Sequence, residues 1–217
     1  MLKQNFNEGW RFHLEAPRDG LTEYGFQKNQ TAGGFAAKEF DASTWRTVTL
    51  PHDWGVELPF DRRTDHSHGH RPVSPFRCRG GGEKAACPIG WYRKEFLAGE
   101  EKKGKRFLLS FDGIYRDAVV WINGAYMDRH LSGYTGFTVE ITDQVLFGEK
   151  NVIAVRVDAS QFEGWWYEGA GIYRNVWLYE TKDVHIPLGE TFISSSIDGA
   201  VHVQTRVENQ GEADAAV

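Results

Sequence analysis

The chain has 217 residues, 41% hydrophobic, 14% aromatic and 25% charged, with a formal net charge of −5. That apolar fraction supports a packed core and excludes a disordered or low-complexity chain; the length suits one domain and part of a second, and falls short of the roughly 250 residues of a (β/α)₈ barrel. The mildly acidic balance argues against nucleic acid or an anionic membrane as partner, and no apolar run reaches the roughly 18 residues of a spanning helix.

In chain order, the opening MLKQNFNEGWRF lacks the apolar segment of a signal peptide, which leaves the compartment open between cytoplasm, periplasm and secretion. Residues 15–44 hold few strand signals and end on Asp41-Ala42-Ser43-Thr44-Trp45. Leu50-Pro51-His52-Asp53-Trp54 follows. A histidine beside an aspartate suggests a general base, but neighbours on an extended segment point to opposite sides, so the pair need not form a dyad. Pro51 stiffens the entry and Trp54 is expected to pack, with ligand contact by His52 and Asp53 the functional reading.

Residues 51–90 form a long irregular stretch with five of the seven prolines, and such stretches are usually functional or disordered. Within it, His66, His68 and His70 share one face of an extended segment and are suitable zinc or nickel ligands. Nothing apolar flanks them, so a solvated loop is expected and no metal is assigned. Cys78 and Cys87 could close a small loop disulfide in an oxidising compartment; two free thiols in a flexible loop is the expected state.

Strands are expected next at 91–97 and around Phe107, Leu109 and Phe111, which share one face. Residues 119–122, Val-Val-Trp-Ile, are apolar on both faces, as inside a sandwich. Asn123-Gly124 tolerates the positive φ of a type I′ turn and predicts a hairpin into 125–130. Further strands are expected at 137–142, at 151–158 with one buried face carrying Ile153, Val155 and Val157, and at 172–181. Helical periodicity is nearly absent, so the fold class is all-β, an antiparallel β-sandwich.

Between the last two strands lies a glycine-rich loop with Trp165, Trp166 and Tyr167 set between Glu163 and Glu168. Aromatic faces stack on the C–H face of a pyranose and carboxylates accept from its hydroxyls, so the loop suits sugar recognition. The alternative is that at least one ring plugs the core. No phosphate cradle, nucleophile elbow or zincin motif occurs, and no carboxylate pair stands out as the acid and nucleophile of a glycosidase. Beyond 182, strand-like runs at 191–197 and 200–208 flank Asp198-Gly199. A lone hairpin is marginal in water, so this reads as the opening of a second β domain.

Several motifs stand in a fixed order: Leu50-Pro51-His52-Asp53-Trp54; Gly90-Trp91-Tyr92-Arg93-Lys94-Glu95-Phe96; Phe111-Asp112-Gly113; Ala118 to Gly124; Gly133-Tyr134-Thr135-Gly136-Phe137; Asn151 to Asp158; and Gly169-Ala170-Gly171-Ile172-Tyr173-Arg174-Asn175-Val176. In that order they resemble the N-terminal sugar-binding domain of glycoside hydrolase family 2, the β-galactosidase and β-glucuronidase family. The resemblance implies a jelly-roll, galactose-binding-like sandwich over 1–182 and, over 183–217, the first strands of an incomplete immunoglobulin-like domain.

Enzymes of the family are retaining exo-glycosidases whose two catalytic glutamates lie in a (β/α)₈ barrel. The resemblance therefore implies no catalytic residue, metal ligand or cofactor in this chain, and no hydrolysis by it alone; the magnesium and sodium of family β-galactosidases lie largely in or against the barrel. It implies a carbohydrate partner, a terminal β-linked sugar with galactoside favoured, and loops that wall the sugar pocket, with His52, Asp53, Glu163, Trp165, Trp166, Tyr167 and Glu168 as candidate contacts. The immunoglobulin-like and barrel domains would be its other partners, and self-association stays open. One departure stands out: where β-galactosidase and β-glucuronidase carry a sugar-reaching aspartate, this chain has Trp165. Glucuronidase and mannosidase therefore stay open beside β-galactosidase. A free-standing carbohydrate-binding module and an oligomer-building domain are the competing readings.

Overall fold

A computed structural model describes residues 1–15, 34–57, 89–159, 168–212 and 214, and among these the short apolar and β-branched runs form strands, with helix confined to 3₁₀ turns. Two antiparallel sheets face each other. The four-stranded sheet runs β1 (Leu2–Asn5), β10 (Val176–Thr181), β5 (Arg106–Phe111), β8 (Phe137–Glu140). The six-stranded sheet runs β3 (Arg46–Val48), β2 (Trp10–Leu14), β4 (Ile89–Leu97), β9 (Lys150–Asp158), β6 (Ala118–Ile122), β7 (Ala125–His130). The expected antiparallel sandwich is thus present.

The main core fills the space between the sheets. Phe107, Leu109 and Phe111 of β5, with Val176 and Leu178 of β10, meet Val120 and Ile122 of β6 and Ile153, Val155 and Val157 of β9. β5 alternates buried and half-buried residues throughout, as its period of two requires.

β9 departs from the expected single buried face: every residue from Asn151 to Val157 is buried. The outer face of the six-stranded sheet is covered by residues 34–45, where Phe35, Ala36, Phe40, Ala42 and Trp45 pack over Ile89, Trp91, Val119, Trp121 and Ala154. Trp91 and Trp121 stack with centroids 5.4 Å apart, and Phe35 stands edge-on to Trp91 at 5.5 Å. Arg93 fastens this strap. Its buried guanidinium donates to the carbonyls of Phe35 (2.6 Å), Lys38 (3.4 Å) and Phe40 (3.3 Å). Burial brings its pKa from 12.5 down to about 10, with Glu95 opposing the fall. The weak strand signal of 34–45 thus conceals a covering layer.

The Asn123-Gly124 hairpin forms as expected, with φ of 51° and 85° between the last paired residues Ile122 and Ala125. Asn123 also binds outside its turn: its side chain accepts from Val152 N at 2.8 Å and donates to Gln144 O at 2.7 Å. The strand expected at 137–142 stops at Glu140, because Thr142 begins a 3₁₀ turn and its hydroxyl accepts from Phe107 N at 3.0 Å. The strand expected at 172–181 begins only at Val176, since residues 170–172 bond sideways to other segments. β1, β2 and β3 were not expected; they are short, and β1 is wholly exposed.

After Thr181 the pairing changes to two small ladders, β11 (Val184–His185) with β14 (Glu208–Asn209) and β12 (Thr191–Ser195) with β13 (Val201–Thr205). The second is the hairpin expected across Asp198-Gly199, and all of its strand residues are exposed.

Candidate functional site

Two motifs separated by more than a hundred residues meet at one end of the sandwich. Residues 52–54 run antiparallel to 170–172: His52 N donates to Ile172 O at 2.8 Å and Trp54 N to Ala170 O at 3.0 Å. On the other flank Tyr115 and Gly171 exchange both backbone bonds, at 2.9 and 2.7 Å. Residues 170–172 are therefore clamped between two segments.

Gly171 makes this possible. Its φ is +121°, and a Cβ there would lie 2.4 Å from Tyr92 Oη and 2.6 Å from the His52 carbonyl oxygen. Trp54 closes the underside, fully buried and stacked on Phe12 at 5.5 Å. It packs, as expected.

Asp53 works across the clamp. Its Oδ1 accepts from Gly55 N at 2.8 Å, which opens the 3₁₀ turn Trp54–Glu57, and from Ala170 N at 2.9 Å. The carboxylate oxygen ties the turn to the start of the 170–172 segment.

His52 points the other way, as neighbours on an extended segment do. Its ring is buried, with Nδ1 2.7 Å from Tyr92 Oη and Nε2 3.2 Å from Glu57 Oε1 and 3.1 Å from Arg46. Arg46 also pairs with Glu57 at 2.6 Å. Burial pushes the His52 pKa below its ordinary value, with the Glu57 carboxylate opposing. For Glu57, burial would raise the pKa, but the hydrogen bond from Arg46 and the charges of His52 and Arg46 bring it lower. Burial also raises the Tyr92 phenol well above its usual range. His52 and Asp53 are therefore neighbours with separate tasks and not a dyad. These bonds hold backbone and ring positions, which suits orientation of the site more than proton transfer.

Of the other candidates, Glu168 is half-buried at the head of the clamped segment, while Glu163, Trp165, Trp166 and Tyr167 lie outside the described residues. So do Cys78, Cys87, His66, His68 and His70. Among the described residues no group of three His, Cys, Asp or Glu side chains converges as a metal site. Sequence reasoning missed Tyr92, Arg46, Glu57 and Tyr115. Tyr92 sits in one of the ordered motifs and could have been flagged by it; Arg46 and Glu57 flank Leu50–Trp54, but nothing in their residue types tells that they turn onto His52.

The sequence and the sandwich both have counterparts among known proteins. The model of the glycosyl hydrolases family 2 sugar-binding domain matches residues 4–182. The β-galactosidase BoGH2A of Bacteroides ovatus is 34% identical over 97% of this chain and 22% of its own length. A β-glucuronidase of Formosa agariphila is 29% identical over 85% of this chain and 17% of its own. The crystal structure of a glycosyl hydrolase family 2 member from Bacteroides cellulosilyticus is 34% identical and superposes with a TM-score of 0.72, covering 96% of this chain and 25% of that one. This chain thus spans between about a sixth and a quarter of the length of these relatives. With the family model covering most of its length and the sandwich shared, the chain belongs to glycoside hydrolase family 2 and carries that family's N-terminal sugar-binding domain.

Proposed function

We propose that this chain is the non-catalytic sugar-recognition and scaffold part of a retaining family 2 exo-glycosidase, a β-galactosidase, whose catalytic barrel lies elsewhere in the protein. The observation that supports this reading is the clamp joining residues 52–54 to 170–172 inside the matched sugar-binding domain, with Glu168 at its head. Rigid mounting is what a pocket wall needs, because small misplacements of recognition groups are costly to rate. Residues 1–182 form the jelly roll in this proposal, and 183–217 open an immunoglobulin-like domain, whose further strands would cover the exposed β12–β13 hairpin. The clamp requires no metal or cofactor, and the proposal places none in this chain.

The test is a substrate screen of the complete reading frame on p-nitrophenyl β-galactoside, β-glucuronide and β-mannoside, beside tryptophan-fluorescence titration of the 217-residue chain with the same sugars. Hydrolysis of the galactoside by the long protein, with a flat titration of the short one, is the expected pair. Saturable binding by the short chain without hydrolysis by the long one would favour a free-standing binding module instead. A reading frame without room for a barrel, with mass rising on concentration, would favour an oligomer-building domain.

A further inference from the structure

We propose that Asp53 is a positioning residue for sugar recognition: a two-pronged carboxylate staple that sets where Glu168 to Ala170 stand, without touching the sugar through its charge. The inference rests on the functional reading above. One oxygen, Oδ1, takes the N–H of Gly55 at 2.8 Å and of Ala170 at 2.9 Å, so a single atom joins two chain segments across 117 positions of sequence. It stands beside two further links between the same segments, His52 N to Ile172 O and Trp54 N to Ala170 O. Ala170 is thereby held at both its N–H and its carbonyl, three residues after Tyr167 and two after Glu168.

The staple also has a fixed base. Trp54 and His52 on either side of Asp53 are both buried, so the backbone carrying the carboxylate cannot follow a displaced partner. Gly171 leaves no room for 170–172 to move inward, with the His52 carbonyl and Tyr92 hydroxyl already against it. Loss of the staple therefore lets Glu168 to Ala170 relax away from the clamp. Recognition groups displaced by about 1 Å commonly lose rate or affinity by one to two orders of magnitude.

The acceptor geometry, and not the negative charge, makes the staple. An asparagine carbonyl oxygen can take the same two N–H groups, whereas a glutamate keeps the charge and displaces the oxygen by a methylene. In the complete enzyme, Asp53→Ala is expected to raise KM by about tenfold with a smaller change in kcat, Asp53→Asn to restore most of the loss, and Asp53→Glu to resemble Ala. A direct contact between carboxylate and sugar predicts the reverse order, with Asn as damaging as Ala and Glu the milder change. That order would overturn the inference, as would unchanged KM in all three. If the Ala variant does not fold, the order of Asn and Glu decides alone.

Amide exchange of Gly55 and Ala170 in the 217-residue chain gives a readout independent of activity. Exchange at both should quicken at least tenfold in Asp53→Glu and stay slow in Asp53→Asn; equal protection in the two overturns the staple. An active wild-type enzyme with indifferent variants sinks this inference alone. A wild-type enzyme that hydrolyses no β-glycoside sinks the functional reading first and the positioning role with it.

Discussion

Replacing Gly171 by alanine tests whether the clamp is as tight as its distances say. The residue sits at φ +121°, a region held almost entirely by glycine, and a side chain forced there costs about 1–3 kcal/mol. The added methyl would also stand 2.6 Å from the His52 carbonyl oxygen, a backbone atom, and 2.4 Å from Tyr92 Oη. Tyr92 is fully buried and bonded to His52, so neither neighbour can rotate away, and overpacking of this kind adds about 1–3 kcal/mol. The combined expectation is about 4 kcal/mol, which for a domain of this size lowers Tm by roughly 8–16 °C. Gly104→Ala provides the control: φ there is +82° with open space around the added carbon, so only backbone strain of about 1–2 kcal/mol applies. Thermal unfolding followed by far-UV circular dichroism and tryptophan fluorescence would measure both. A Gly171 variant no less stable than the Gly104 variant would refute the close approach of 52–54 to 170–172.

Three further predictions concern the strap, the histidine and the aromatic loop. Arg93→Met removes the donor to three strap carbonyls and should cost about 2–4 kcal/mol, with a red shift of tryptophan emission as Trp91 and Trp121 gain water; an unshifted spectrum with unchanged urea midpoint would show that the strap holds by apolar packing alone. Because the folded pKa of His52 lies below its ordinary 6.5, the unfolded chain takes up the proton first, and stability should fall as pH drops below about 6.5, toward the folded value, by at most about 1.4 kcal/mol per pH unit for this group. His13, lowered by burial with Glu15 opposing, adds to the slope, so His52→Gln should flatten it in part; urea midpoints at pH 7.5, 6.5 and 5.5 decide, and an unchanged slope would be the contrary result. In the complete enzyme, Trp165→Ala and Trp166→Ala should change KM or kcat/KM more than Tm, and a variant that only melts earlier would remove that ring from the sugar contacts.

Much of the sandwich was legible from residue pattern because its cause is local. Alternation in Phe107, Leu109 and Phe111 dictates a strand with one buried side, and Asn123-Gly124 dictates a turn whose positive φ few other pairs tolerate. The double-sided apolarity of residues 119–122 was also visible, although its reason was not: the second buried side faces the 34–45 strap. β9 shows the complementary failure. Ala154 looks neutral in the alternation, and nothing in its own sequence tells of Phe35 and Trp45 arriving from another part of the chain.

The candidate site divides the same way. Residue types marked Glu168 and the neighbouring aromatics as sugar-recognition chemistry and His52 with Asp53 as ligand contacts, and the opposed directions of that pair along an extended segment already spoke against a catalytic dyad. Gly90-Trp91-Tyr92-Arg93 carried no role until its alternation met two different layers, with Trp91 and Arg93 toward the strap and Tyr92 toward His52. Residue pattern alone was enough for the central strands, the turn chemistry and the family. That Asp53 meets Ala170, that His52 lies buried between Tyr92 and Glu57, and that Arg93 binds the strap became visible with the folded chain. Hydrogen bonds and burial across long separations depend on which surfaces the two sheets and the strap bring together, and that information belongs to no single segment of the chain.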